Sequence, residues 1–344
     1  GYWKKQPPME GVEAEWDKDQ GKYKIYPTYR KEISGNDIGV WFSYDTKPGE
    51  TIYVQTGVSF VSEENALLNL TTEQPKLDFA AVRRAAEDSW EKALRVVEVE
   101  GGTTDQRTIF YTALYHLLIH PNILQDVNGQ YPMMGSLQTA TTKHDRYTVY
   151  SLWDTYRNVH PLLSILYPRK QLAMVETMLD MYKEGGWLPK WELYGQETFT
   201  MEGDPSIIVI NDTWQRGIRD FDTKLAYEAM IKGATTPGKD NKLRPDFDDY
   251  ASRGYVPLRE QFDNSVSHAL EYYIADWNLS QFASAMGKKK DAQLFARRAS
   301  GYKHYYDKET GLLRPILPNG KFLTPFHPTL GRDFEPNPGF HEGN

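Results

Sequence analysis

Three short segments carry the side chains best suited to chemistry: SLWDTYR (Ser151 to Arg157), GGWLPKWELYGQET (Gly185 to Thr198) and the terminal HEGN (His341 to Asn344). Trp153 beside Asp154 pairs a flat apolar ring with a carboxylate. A sugar suits that pair, because the ring can stack on its C–H face while the carboxylate accepts from hydroxyls. Trp187, Trp191 and Glu192 repeat the combination, and HEGN adds Glu342. The reading they support is one carbohydrate pocket lined by all three segments.

Composition limits the alternatives. The chain has 344 residues, 40% hydrophobic and 25% charged, which describes a globular protein able to bury a large core. A net charge of −7 argues against a nucleic-acid partner, whose phosphates need a basic face. Without a single Cys, disulfides, thiolate catalysis and Cys-ligated zinc are excluded. No apolar run is long enough to predict a membrane span. The opening GYWKKQPPMEG has no signal-peptide pattern, so the compartment stays open at this level. The aromatic content of 13% suits a protein that stacks on sugar rings, though much of it must be core.

The elements that must position these segments change character along the chain. Lys22 to Tyr29, Val40 to Tyr44 and Thr51 to Ser62 read as strands, the last with Ile52, Val54, Thr56, Val58 and Phe60 on one face. Lys47-Pro48-Gly49-Glu50 reads as a turn. Helical spacing begins near Leu77, with Asp78 as N-cap, and Gly101-Gly102 stops that helix. Thr103 and Gln106 predict a capping box for the next, and Asn128-Gly129 a hairpin turn. Further helices are predicted over 151–166, 168–183, 205–217, 221–233, 264–286 and 288–305. The connections alternate between short ones and long ones rich in Trp, Gly, Pro and acids. Paired helices in a ring, with functional loops at one end, would show that asymmetry.

VQTGVSFVS, TIFYTALYHLLIHPN, SLWDTYR, GGWLPKWELYGQET, MEGDPS, SRGYVP, SVSHALEYYIADW, LTPF and HEGN stand in this order from residue 54 to the last residue. With them the chain resembles glycoside hydrolase family 92, the calcium-dependent, inverting exo-α-mannosidases. The resemblance implies a mainly α fold: a partial (α/α)6 barrel catalytic domain preceded by a β-sandwich segment and a linker helix. Residues 1–73 would be the late sandwich, 74–101 the linker and 102–344 the first part of the barrel. It implies a terminal mannose of N-glycan or mannan type as substrate and Ca2+ as cofactor. The rest of the catalytic domain would be a missing segment or another chain, and would bring the general base and further calcium ligands. The location would be periplasmic or extracellular. α-1,2 is the first linkage expected, but no residue here separates it from α-1,3 or α-1,4.

Residue by residue, the resemblance makes Glu342 the general acid, Trp153, Asp154 and Trp191 sugar contacts, and Glu192 a calcium ligand. Each has a plainer reading. Glu342 could be a solvated terminal carboxylate, Asp154 a cap or the ion-pair partner of Arg157, and Glu192 a surface Glu. Gln196, Glu197 and Asp204 read as pocket groups or helix caps, with capping preferred for Asp204 before Pro205. Asp246, Asp248 and Asp249 read as a solvated acidic turn rather than a calcium loop, and His116 with His120 as packed histidines rather than a zinc pair. Two other classes stay in view: a mannose-binding fragment without catalysis, and a different (α/α)6 glycosidase. The first would bind mannose without releasing it; PKWE and EGN count against the second.

Overall fold

The computed structural model describes residues 2–4, 14–17, 22–25, 43–259, 265–326 and 328. The chain divides into a unit over Gly1–Tyr53 and a larger one over Val54–Asn344. In the first, β1 (Tyr2–Lys4), β2 (Ala14–Asp17) and β3 (Lys22–Ile25) form an antiparallel sheet in the order β1-β3-β2. Its other legible feature is the expected turn. Lys47 O accepts from Glu50 N–H, and Gly49 takes φ +85°, the conformation that a proline-led type II turn requires of its third residue.

The strand predicted over Thr51–Ser62 does not form. Residues 51–62 pair with no ladder, and Val54, Val58 and Phe60 are exposed. An alternating stretch becomes a strand only beside an edge that accepts its backbone groups, and sequence periodicity cannot report that edge. The segment ends instead in a helix, α1 (Glu63–Glu73), inside the stretch read as β. Ser62 caps it by accepting from Asn65 N–H.

The next two helices follow their sequence signals. Asp78 caps α2 (Phe79–Leu94), accepting from Ala81 N–H. Thr103 and Gln106 exchange both bonds of a capping box at the start of α3 (Thr104–Leu117). Beyond it, β4 (Asn122–Ile123), β5 (Gln130–Pro132), β6 (Thr139–Thr141) and β7 (Tyr147–Thr148) make two small ladders, β4 with β7 and β5 with β6. Asn128-Gly129 does turn the chain, but between strands that belong to different ladders. Glu184 anchors this region: it pairs with buried Arg146 at 2.9 Å and accepts from Tyr131 Oη and Met134 N–H, both at 2.8 Å.

Then come β8 (Tyr150–Ser151), α4 (Leu152–Thr155), α5 (Val159–Leu166), α6 (Pro168–Gly185), β9 (Trp191–Leu193) and β10 (Gln196–Glu197). They are followed by α7 (Pro205–Gln215), α8 (Thr223–Thr235), α9 (Phe247–Arg253), α10 (Ser265–Ala285) and α11 (Lys289–Ala299). The single helix expected over 151–166 is thus broken into α4 and α5. Helix α10 is the pillar, packed on α11 and α7. A core of Met174, Met178, Leu179, Ile207, Ile210 and Phe282 runs between α6, α7 and α10. A second core gathers Phe247, Tyr250, Tyr272, Tyr273 and Tyr305.

The large apolar residues of α10, Val266, Leu270, Tyr273, Ile274 and Trp277, recur at helical spacing and would share an inward face, which is only half what forms. Val266 and Tyr273 are buried, but Ile274 and Trp277 are exposed. The buried stripe runs through Ala269, Tyr272, Asp276, Leu279 and Ala283. Small residues and an acid disguise it.

Candidate functional site

The two indole-bearing segments meet through a backbone ladder. Strand β8 pairs antiparallel with β9, so that Tyr150 lies opposite Glu192 and Ser151 opposite Trp191. Leu152 N–H also donates to Lys190 O at 3.3 Å. Trp191 therefore sits across from the residue two positions before Trp153, although nearly forty residues of chain intervene. Both rings are half-buried, and their Nε1 donors are buried without an acceptor among the described residues. Asp154 is exposed at this edge and accepts from Ser151 Oγ.

Carboxylates behind the ladder hold its loops. Glu197 accepts from the backbone N–H of Lys190 at 2.8 Å, Trp191 at 2.9 Å and Phe199 at 2.8 Å, which fixes the stretch presenting Trp191. Glu197 caps no helix. Gln196 pairs with Leu193 in the β9–β10 hairpin. Glu192 is fully buried. Its Oε1 accepts from Gly195 N–H (2.6 Å) and Thr148 Oγ1 (2.9 Å), and its Oε2 from Val149 N–H (3.0 Å) and Thr148 Oγ1 (3.1 Å). Val149, Tyr194, Phe199 and Met201 all take positive φ, between +49° and +67°. For a β-branched residue such as Val149 this is a strained state, and strain of this kind gathers at functional loops.

Glu192 was expected to ligate calcium. Both of its oxygens are occupied by protein donors, and among the described residues no group of three His, Asp or Glu side chains is placed to hold a metal.

Burial pushes the Glu192 carboxyl up to about 7, against the lowering effect of its donors. A carboxyl whose pKa is higher folded than unfolded binds its proton more tightly in the fold. Its stabilising contribution is complete below the ordinary value of 4.5 and is lost as pH rises through about 7. Thermal unfolding of the wild type and Glu192→Gln from about pH 5 to about pH 8 should therefore diverge, the wild type losing more stability as pH rises. His144, whose pKa is raised by its bond to Asp180, is common to both proteins and cancels in the difference. Parallel profiles would mean that Glu192 does not titrate there.

Beside these loops, Asp204 stands before Pro205 at the start of α7 but caps nothing. Its buried Oδ2 pairs with Arg244 Nε at 3.3 Å, and Arg244 Nη1 reaches Asp276 Oδ1 at 2.6 Å. Tyr250 Oη donates to Asp276 Oδ2 at 2.8 Å. Burial opposes the Arg244 charge, but the carboxylates of Asp276 and Asp204 outweigh it and hold its pKa above the usual range. Burial also pushes the Asp204 carboxyl up, with Arg244 offsetting part of the rise.

The remaining candidates separate. Arg157 does not pair with Asp154; its Nη2 donates to Glu271 Oε1 on α10 at 2.7 Å. Asp246 lies 3.0 Å from buried His268, Asp248 accepts from Gly238 N–H, and Asp249 binds Arg253 and Arg259, so these acids hold partners rather than form a free acidic turn. His120 lies beyond the end of α3, hydrogen-bonded to Asn122, so the two histidines do not share the helix that the i, i+4 spacing suggested. Glu342 lies outside the described residues. Sequence reasoning missed Thr148, Arg244, Glu271 and Asp276. Their partners are 26 to 115 residues distant, with no spacing to betray them.

Comparison with known proteins gives this arrangement a context. The "Glycosyl hydrolase family 92 catalytic domain" matches residues 65–344. A family GH92 alpha-mannosidase from Bacteroides thetaiotaomicron is 33% identical, with a TM-score of 0.73 over 80% of this chain and 36% of its own; it has also been solved in complex with mannoimidazole. A family GH92 inverting mannosidase from Bacteroides thetaiotaomicron VPI-5482 is 30% identical, with a TM-score of 0.74 over 79% of this chain and 37% of its own. An uncharacterized secreted glycosidase of Arthroderma benhamiae is 28% identical over 256 residues, 70% of this chain and 29% of that protein. The chain spans about a third of the length of these relatives. The mainly helical, (α/α)6 barrel-type fold expected from sequence agrees with the two mannosidase structures. Among the described residues, no helix is long and apolar enough to cross a membrane.

Proposed function

The chain belongs to glycosyl hydrolase family 92, and we propose that it is part of an enzyme that removes terminal mannose from α-mannosides of N-glycan or mannan type, with inversion. The observation that supports this most is the β8–β9 ladder, which sets Trp191 beside the Trp153–Asp154 segment. In this reading the indole rings stack on the apolar face of the hexose, and Asp154 accepts from its hydroxyls. The strained, carboxylate-braced loops hold the platform rigid, so that binding energy is not lost to ordering it. We assign periplasmic or extracellular residence, where such glycans are met.

Glu342 is proposed as the general acid, protonating the departing glycosidic oxygen. An inverting site sets the partner base roughly 6.5–9.5 Å away, leaving room for the attacking water. That base is proposed to come from the remainder of the catalytic domain. Calcium dependence is part of the proposal, with Glu192 as one candidate ligand and further ligands from the remainder of the catalytic domain; loss of activity on chelation tests it.

Mannose release from an α-mannobiose by this chain together with the remainder of its catalytic domain, followed with the anomer detected by NMR, is the test. The β-anomer of mannose should form first. Glu342→Gln should lower kcat by at least about 10²-fold with little change in KM, the usual cost of losing a general acid. Full activity in that variant would remove Glu342 from the mechanism. Initial release of the α-anomer would overturn inversion.

A further inference from the structure

Helix α10 reaches the edge of the site through one side chain that the proposed mechanism does not use. Glu271 is nearly buried, and its two oxygens take different donors from the SLWDTYR segment: Oε1 accepts from Arg157 Nη2 at 2.7 Å and Oε2 from Tyr156 Oη at 2.8 Å. The clamped guanidinium lies 4.6 Å from the centroid of Tyr156 and 5.3 Å from that of Trp153. Arg157 is itself about half exposed, so without Glu271 its long side chain would keep several rotamers. The other side of Glu271 is closed by Gly203. A Cβ at that position would come within 2.4 Å of Glu271 Cβ, so the EGDPS loop fits the acid's stem closely.

We propose that Glu271 is a positioning residue of the sugar site: by fixing Arg157 and Tyr156 it locks the Trp153 ring in the orientation that stacks on a mannoside. The claim rests on the sugar-binding reading above. A charge-assisted clamp with two donors fixes direction as well as distance, and a small misplacement of a binding group is enough to cost affinity. Glu271 touches no sugar in this account; it acts through Arg157.

The test uses the whole chain, the indole N–H resonance of Trp153 (assigned with Trp153→Phe), and titration with mannoimidazole and methyl α-mannoside. In the sugar-free protein, Glu271→Gln and Arg157→Ala should move that resonance in the same way, and the double variant should move it no further. Affinity for both sugars should fall about tenfold in Glu271→Gln. The thermal midpoint should change little, and Glu271→Asp should recover part of the affinity. An unmoved resonance, or wild-type affinity in Glu271→Gln while Trp153→Ala loses binding, would overturn the positioning role and leave the sugar site standing. Wild-type protein that binds neither sugar would overturn both readings.

Discussion

Arg244→Met is expected to destabilise the helical unit as a whole rather than to trim one contact. The guanidinium is wholly buried between Asp204 and Asp276, which are themselves buried, and Tyr250 donates to the second. Methionine fills much of the volume but leaves two carboxylates facing each other in a low-dielectric interior. Breaking a buried ion network from one side costs about 3–5 kcal/mol, against a total stability of about 5–15 kcal/mol for a domain. The thermal midpoint should fall by about 10 °C or more, and soluble yield with it. Asp204 also begins the helix that follows the EGDPS loop, so the damage should reach the site. A compensating variant, Arg244→Met with Asp204→Asn and Asp276→Asn, should recover part of the loss, because the uncompensated charge is gone. A midpoint within about 2 °C of wild type for the single variant would show that the network carries little of the fold.

The second large effect is on the sugar. Trp153→Ala is expected to weaken methyl α-mannoside binding by about 30-fold, the loss typical of an aromatic anchor at the centre of a contact. The fold should tolerate the change, because the ring is only half-buried at the edge of the β8–β9 ladder. Trp277→Ala supplies the control. That indole is 53% exposed on α10, in a groove with Leu270, Tyr273 and Tyr302, and its removal should leave affinity unchanged. Equal affinity in wild type and Trp153→Ala would take the ring out of the site.

What sequence could and could not foresee follows from how far apart the interacting groups lie. The capping box at Thr103 and Gln106, the Asp78 cap and the Lys47–Glu50 turn are interactions over three residues, so local chemistry reveals them. That the Trp153 and Trp191 segments meet was legible from their shared Trp-and-carboxylate chemistry and from the one family both resemble. Nothing local predicted the ladder between Ser151 and Trp191. Asp204 looked like a cap because Pro205 follows it, yet a buried arginine forty residues away competes for the carboxylate and wins. Asp276 hid the buried face of α10, since an acid reads as exposed until its Arg244 partner is known. The strand expected over Thr51–Ser62 failed for the same reason: a ladder is a property of two segments.

One experiment bears on the whole account: a crystal structure of the chain grown with mannoimidazole. The sugar ring should lie against Trp153 and Trp191, with Asp154 at its hydroxyls and Glu342 brought within reach of the anomeric side. Mannoimidazole seated elsewhere on the molecule, with both indoles untouched, would contradict it.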